Sequence, residues 1–303
     1  MKKLFPPKGT VDVVMDTDAY TEIDDLYAIA YLLRHSERLN VKGFCAAPFN
    51  KPARAATPRL AMEKSYEEIR FLLKMMNRED IPVYYGSPTY LADENTPVES
   101  PAADFMAKLA DSYSPDHPLY ILAIGSIPNV ASAILKNPRM IENCVVVWLG
   151  GHAVHMQNGA DEYNMRQDIA GARIVFGCGI RLVHLPCNGV VDRFLTTKPE
   201  LACWLKGKNE LCDYLYTRTV EEAENYAAGK PWSRVIWDVT AVAWLLNEHE
   251  RFMKSRSTPA PIPCYDLQYK IDHTRHSICS VYHIDRDALF EDLFQVLSKE
   301  SFS

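Results

Sequence analysis

One stretch near the start of the chain constrains the fold more than any other. Val11–Met15 is an apolar run of the kind that forms a strand buried in a sheet, and apolar residues recur at helical spacing from Leu26 to Leu33. Only a short polar segment separates the two. A buried strand that leads through a short loop into an amphipathic helix predicts an α/β fold.

The same alternation of strand and helix continues along the chain. The predicted strands are Val11–Met15, Val41–Ala47, Val83–Tyr85, Leu119–Ile124, Val145–Leu149 and Leu182–Leu185. The predicted helices are Leu26–Arg34, Arg59–Met76, Ala102–Leu109, Val130–Leu135 and Ile169–Phe176. This order favours an open, mainly parallel (mixed) sheet with helices on both faces, a Rossmann-like architecture.

The second half of the chain is less regular. The pattern is helical over 201–250, Thr258–Pro263 has the composition of a surface connection, and Ile278–His283 is predicted as a last strand. No linker, low-complexity tract or internal repeat divides the chain. We therefore expect a single domain spanning residues 1–303.

Five carboxylates lie in the loop between the first strand and the first helix: Asp16, Asp18, Glu22, Asp24 and Asp25. Such a loop lies at the carboxyl edge of the sheet, where ligands bind in open α/β folds. A preference for acids at a helix N-terminus explains one or two of them but hardly five. Crowded carboxylates repel and raise one another's pKa unless a cation lies among them. Because the cluster contains no His or Cys, it predicts a hard divalent ion, Ca²⁺ or Mg²⁺.

Composition argues against several classes of function. The net charge is −6 and no long basic run occurs, so nucleic acid is not an expected partner. The eight cysteines are scattered and form no CxxC pair, so we expect reduced core residues in a cytoplasmic protein. The opening MKKLFPPKG lacks the apolar stretch of a signal peptide, and we expect no membrane-spanning segment.

Other strand-to-helix junctions place polar groups at the same sheet edge. The second strand leads to Asn50, and the fourth ends at Ile124, whose main-chain carbonyl could coordinate a metal. The fifth strand is followed by a polar loop that contains Asn158 and Glu162-Tyr163-Asn164. Asp238 opens a late apolar helix, where it could be a helix cap or a functional residue.

Taken in order, these motifs resemble the inosine–uridine nucleoside hydrolase family, and the sequence is identified as a divergent member. In that family an Asp-x-Asp…Asp-Asp motif, a loop carbonyl, a Glu-Phe-Asn-like triplet and a late Asp surround one Ca²⁺. The counterparts here are Asp16-Thr17-Asp18, Asp24-Asp25, Glu162-Tyr163-Asn164 and Asp238. The resemblance extends from Val11 to about Asn247.

The resemblance implies a set of Ca²⁺ ligands and catalytic residues. Asp18, Asp25 and Asp238 would bind the metal, and the main-chain carbonyl of Ile124 would complete the protein's share of the coordination. Asp18 would also orient and deprotonate the attacking water. Asp24 is the second predicted catalytic residue.

The resemblance also implies how a nucleoside binds. Asp24, Asn164 and Asn50 would hold the 2′- and 3′-hydroxyls of ribose, while Asn158 and Glu162 would face the 5′-hydroxyl. Cleavage of an N-glycosidic bond builds positive charge on the sugar, which nearby carboxylates stabilise. Acidic groups and amides suit a neutral sugar, whereas a phosphorylated one would need Lys, Arg or a helix N-terminus.

The chain departs from the family pattern in ways that affect the site. Its first acidic loop is two residues longer, through Ala19–Ile23, and Asp93–Pro97 replaces a His-Gly-rich stretch. Trp237 stands where many members carry a His that protonates the leaving base. Trp237 could stack on a purine base or be a core aromatic residue. His152 or His155 could supply the acid instead.

Three functions are consistent with these observations. The first is Ca²⁺-dependent hydrolysis of ribonucleosides or related N-ribosides, in a homodimer or homotetramer as the family suggests. The second is a nucleoside- or sugar-binding protein that keeps the metal pocket without turnover. The third is a phosphatase of the haloacid dehalogenase type, although its motif needs Thr or Val where this chain has Tyr20.

Overall fold

The structure is a computed structural model that describes residues 4–299. In chain order its strands are β1 (Val11–Thr17), β2 (Leu39–Ala46), β3 (Val83–Tyr84), β4 (Leu119–Ala123), β5 (Cys144–Leu149), β6 (Arg181–Leu185), β7 (Leu195–Thr196), β8 (Arg234–Val235), β9 (Met253–Pro259), β10 (Ile262–Pro263), β11 (Tyr269–Lys270) and β12 (Ser277–Ile284). Its α-helices are α1 (Asp24–Arg34), α2 (Pro58–Met75), α3 (Pro101–Leu109), α4 (Pro128–Lys136), α5 (Met140–Asn143), α6 (Tyr163–Gln167), α7 (Ile169–Gly177), α8 (Lys198–Trp204), α9 (Glu210–Ala227), α10 (Val239–Leu245) and α11 (Arg286–Leu297).

Eight of the strands form one sheet in the order β3-β2-β1-β4-β5-β6-β12-β9. Every neighbouring pair is parallel except β12 and β9, which are antiparallel. The predicted single-domain α/β fold with a mainly parallel, mixed sheet is therefore confirmed. The predicted domain limits, residues 1 and 303, lie outside the described residues.

The strand order reverses at β1, which lies between β2 and β4. Asp16 near the carboxyl end of β1 is in register with Cys45 on one side and Ala123 on the other. The connection after β1 thus runs to one side of the sheet, and the connection after β4 runs to the other. Their divergence opens a crevice at this edge of the sheet. The acidic loop after β1 lies at this crevice.

The two faces of the sheet are covered by two apolar clusters. Val13 and Met15 pack into a cluster that includes α1, α10 and α11, whereas Val14 packs on the opposite face with α3, α4 and α7. Side chains alternate between the faces of a strand, so a strand covered on both faces is apolar throughout. This explains why β1 appears in the sequence as a continuous hydrophobic run.

The prediction of a surface connection over Thr258–Pro263 is wrong in part. Met253–Pro259 forms the edge strand β9, and Ile262–Pro263 pairs with Tyr269–Lys270. An edge strand is covered less than a central one, so β9 carries charged and hydroxyl side chains that conceal its strand character. None of the described helices combines the length and apolar character needed to cross a membrane.

Candidate active site

A cavity of about 270 Å³ opens at the carboxyl edge of the sheet. Asp18 reaches it from the loop after β1, Ile124 from the end of β4 and Leu149 from the end of β5. Asp238 joins them from the start of α10, more than two hundred residues after Asp18. The cavity therefore lies at the point where the strand order reverses.

Three carboxylates form the most compact group in this cavity. Oxygens of Asp24, Asp25 and Asp238 lie within 4.8 Å of one another, and all three residues are buried. Asp24 and Asp25 occupy the first turn of α1, which packs against α10 and so meets Asp238. The Asp238 side chain makes no capping hydrogen bond to its own helix, so its carboxylate is available to the cavity.

Asp18 lines the same cavity but is held separately from this trio. Its Oδ2 accepts a hydrogen bond of 2.7 Å from the Thr21 hydroxyl. A Cβ on Gly125 would lie 2.7 Å from Asp18 Oδ1, so only glycine fits beside this carboxylate. The compact trio thus contains Asp24 where the predicted ligand set contains Asp18, and the metal role of Asp18 stays a prediction.

Burial makes the ionised forms of these acids unfavourable. It raises the pKa of Asp18 to about 8 and the pKa of Asp24 to about 7. The pKa values of Asp25 and Asp238 are raised well above the ordinary range by burial first and by neighbouring carboxylates second. A divalent cation would relieve this repulsion, and the oxygen-only trio has the donor chemistry of a hard ion. These carboxylates are therefore suited to bind a divalent metal ion.

Asn164 and Glu162 fix the opposite wall through the main chain. Asn164 Nδ2 donates to the carbonyls of Ile124 and Leu149, both at 3.0 Å, and so ties β4 to β5. Glu162 accepts from the main-chain N–H groups of Gly151 at 2.8 Å and Asn164 at 2.9 Å. It also caps α6, which gives this buried carboxylate a fixed position beside the cavity.

Asn50 and Asn158 are not brought to the cavity. Asn50 is exposed, and its main-chain N–H donates to Gln167 Oε1 at 2.5 Å. Asn158 lies in an exposed loop with a φ of 54° and bonds to Gln268 of the turn before β11. Their contacts with substrate stay predictions that this arrangement does not support.

Trp237 and His152 both line the cavity, and exposed His155 does not. Trp237 is half-buried and packs part of its surface on the core, while its stacking on a base stays a prediction. Nδ1 of His152 accepts a 3.2 Å hydrogen bond from the Asn188 main-chain N–H. Its Nε2 lies 3.4 Å from Asn188 Nδ2, so both ring nitrogens contact Asn188. The role of His152 as an acid stays a prediction.

A largely buried arginine next to the acids was missed in the sequence. Arg234 Nη2 lies 2.5 Å from Glu22 Oε2, 3.9 Å from Asp24 Oδ1 and 4.0 Å from Glu222 Oε2. Burial opposes ionisation of Glu22, but Arg234 and Lys51 together lower its pKa. Glu22 belongs to the lengthened part of the first loop, so Arg234 holds that loop by its charge. No local sequence signal marks Arg234, because pairing of β8 with β7 places it there.

The sequence profile of a family described as "Inosine-uridine preferring nucleoside hydrolase" matches residues 13–291. The chain belongs to this family. Its members are N-glycosyl hydrolases that act on small-molecule nucleosides, which confirms the predicted family and enzyme class and decides against a haloacid dehalogenase. Among curated protein sequences, none matches the chain significantly.

Solved structures show the same fold at low sequence identity. A plant nucleoside hydrolase, PpNRh1, is 18% identical with a TM-score of 0.73, covering 97% of this chain and 100% of its own. A purine-preferring ribonucleoside hydrolase from Gardnerella vaginalis is 17% identical with a TM-score of 0.74 (95% and 98% covered). An inosine-guanosine nucleoside hydrolase is 15% identical with a TM-score of 0.75 (96% and 99% covered).

The buried acids predict a pH-dependent response to cations. Below about pH 4 the carboxyls are protonated in both folded and unfolded states, whereas ionising Asp18 and Asp24 in the folded state costs stability as the pH rises toward 8. A cation competes with those protons, so Ca²⁺ should raise the melting temperature more at pH 8 than at pH 5. At a hundred-fold excess over Kd we expect about 5 °C at pH 8, from roughly 2.7 kcal/mol of binding linkage.

Differential scanning fluorimetry in EDTA and in CaCl₂ measures this response. Asp238→Asn should lose it. Asp168→Asn should keep it, because Asp168 is a buried acid with a similarly raised pKa that caps α7 outside the cavity. Equal shifts at the two pH values, or an unchanged response in Asp238→Asn, would contradict the cation site.

Arg234→Met should destabilise the protein and weaken substrate binding. It removes the shared partner of Glu22, Asp24 and Glu222. Because Glu22 keeps Lys51 and Glu222 keeps Arg54, we expect a loss of about 2 kcal/mol, typical of hydrogen bonds to charged groups. Urea unfolding and KM measure the two effects. Arg54→Met is the matched control, because Arg54 pairs with Glu222 alone among these acids and is more exposed. Equal effects of both variants would show that Arg234 has no special relation to the site.

Proposed function

We propose that this protein hydrolyses the N-glycosidic bond of ribonucleosides or closely related N-ribosides with Ca²⁺ as cofactor, releasing free base and sugar. The observation that carries the proposal is the buried trio of Asp24, Asp25 and Asp238 in the cavity. Segments more than two hundred residues apart contribute to it, and folding buries its carboxylates despite their mutual repulsion. Such an arrangement is costly unless it serves a bound cation.

The donor set favours Ca²⁺ over softer metals. Asp25 and Asp238 would hold the ion with Asp18 or Asp24, and the carbonyl of Ile124 would add a further oxygen. Ca²⁺ accepts six to eight oxygens, so sugar hydroxyls could complete the set. When bound, the ion would supply Lewis acidity toward water and neutralise part of the acidic charge.

The protein's own residues would perform the remaining chemistry. The carboxylate of Asp18, oriented by Thr21 and Gly125, would accept a proton from the attacking water. Asp24 would stabilise the positive charge that develops on the sugar as the bond to the base breaks. Asn164 and Glu162 would keep the wall that faces the sugar rigid.

The charge of the cavity favours nucleosides over nucleotides. Its walls carry the acids already described, and the one arginine among the lining residues that the structure describes is Arg166. Arg166 is already paired with Asp161 at 3.3 Å. A phosphate would therefore be repelled by the carboxylates without an unpaired cationic partner.

The aromatic wall favours a purine base. Trp237 precedes Asp238 directly, and its half-buried side chain lines the same cavity as the acids. Stacking on a large ring system contributes more contact area than stacking on a small one. We infer that inosine is hydrolysed in preference to uridine.

A cytoplasmic role in purine or pyrimidine salvage, in a homodimer or homotetramer, belongs to the same proposal. All eight cysteines are free, as expected in a reducing compartment. Sedimentation velocity would test the assembly.

Incubation with inosine, uridine, p-nitrophenyl riboside and inosine 5′-monophosphate tests the function. We expect base or nitrophenol to be released from the first three, fastest from inosine among the nucleosides, and little release from the nucleotide. Asp18→Asn should lower kcat at least about 10²-fold while the protein stays folded, because loss of a general base typically costs this much. Asp168→Asn should retain activity.

Retained activity in Asp18→Asn would remove Asp18 from the mechanism. Binding of inosine without release of base would instead favour the alternative function, a nucleoside-binding protein. That alternative is supported by Trp237 in place of the expected His and by the lengthened first loop.

A further inference from the structure

The hydroxyl of Tyr163 is a polar group that the proposed mechanism leaves unused. Tyr163 lines the cavity, and its hydroxyl oxygen is buried without a hydrogen-bond partner among residues 4–299. A buried polar group left unpaired costs roughly 1–3 kcal/mol, so it needs an explanation. Tyr163 is the middle residue of the Glu162-Tyr163-Asn164 triplet, where the Glu-Phe-Asn pattern has an aromatic ring without this oxygen.

The ring of Tyr163 is held in place on several sides. It packs against a small apolar cluster that contains Phe49, and the Arg166 guanidinium lies 5.7 Å from its ring centre. Its main-chain carbonyl accepts a 2.9 Å hydrogen bond from Gln167, and its position at the start of α6 is fixed by the Glu162 cap. The side chain that carries the hydroxyl is therefore held in a fixed position.

Tyr163 belongs to a helix whose cavity-lining residues range from buried to exposed. Asn164 next to it is buried, as is the carboxylate trio, whereas Arg166 almost one turn further along α6 is exposed. A sugar that contacts the acids on the floor would direct its base toward the mouth. There the base would meet the aromatic side chains of Tyr163 and Trp237, which both line the cavity.

The Tyr163 hydroxyl remains protonated under all ordinary conditions. Burial raises its pKa far above the usual value, and the carboxylates of Asp18 and Glu22 raise it further. The group can therefore donate a hydrogen bond but does not give up its proton. Such a donor is most valuable where negative charge develops.

We propose that Tyr163 is a specificity-determining residue that donates a hydrogen bond to an acceptor on the leaving base. This inference rests on the proposed hydrolase function. When the N-glycosidic bond breaks, its electron pair passes to the base, so a ring nitrogen or carbonyl oxygen of the base becomes a stronger acceptor. The proton stays on Tyr163, and the base takes its own proton from water. The substrates selected are ribosides whose base carries such an acceptor.

Comparison of two substrates in Tyr163→Phe tests the inference. With inosine, kcat/KM should fall about ten-fold, mainly through kcat, because the contact strengthens as charge develops. With p-nitrophenyl riboside it should change less than two-fold, because nitrophenolate leaves without help from a donor. Tyr90→Phe is the matched control, since the Tyr90 hydroxyl donates to Gln167 at 2.8 Å outside the cavity lining, and it should leave both rates unchanged.

Three results would overturn the proposal: equal losses on both substrates, no loss on inosine, or the same losses in Tyr90→Phe. If the wild-type protein hydrolyses neither substrate, the hydrolase function itself fails. Calorimetric titration with inosine then decides the question separately. A Kd for inosine that is at least about two-fold weaker in Tyr163→Phe supports the contact, and an unchanged Kd excludes it.

Discussion

Repulsion among buried carboxylates is the constraint on which the site depends. Packing of α1 against α10 brings Asp24 and Asp25 to Asp238, and burial then raises the pKa of each. A fold whose only requirement was stability would not place three acids together in its interior. The arrangement becomes favourable when a cation joins the acids. The packing of α1 against α10 therefore also determines the chemistry of the site.

The rest of the cavity is built to keep that arrangement in position. Arg234 neutralises the lengthened first loop through Glu22, and Asn164 joins the ends of two strands. At the buried base of the loop, Asn129 Nδ2 donates to Asp16 at 2.7 Å and to the Ala46 carbonyl at 3.1 Å. These contacts use polar groups that belong to distant segments. The lengthened loop is thus held by the ion pairs of Glu22 with Arg234 and Lys51.

Sequence patterns could predict the parts of this site that follow from local structure. The end of an apolar run in the sequence locates the carboxyl end of a buried strand. The acids after β1 and the carbonyl of Ile124 could therefore be assigned to one sheet edge. Asp238 was recognisable from the order of motifs, although its neighbours suggested only a helix start. The edge strand β9 was missed because its outward side chains are polar.

Side-chain direction within loops could not be predicted in the same way. Asn50 and Asn158 follow strands as expected, yet neither lines the cavity: Asn50 is exposed, and the Asn158 side chain accepts a hydrogen bond from Gln268. The compact trio contains Asp24 rather than Asp18, and Arg234 reaches the acids from a short hairpin far along the chain. These features arise from tertiary packing, which a local pattern does not encode.

A crystal structure determined in the presence of CaCl₂ tests the central claim most directly. The account predicts one ion per chain in the cavity, with carboxylate oxygens of Asp25 and Asp238 among its ligands at about 2.3–2.6 Å. A cavity that contains only water, with the two carboxylates turned away from each other, would contradict it.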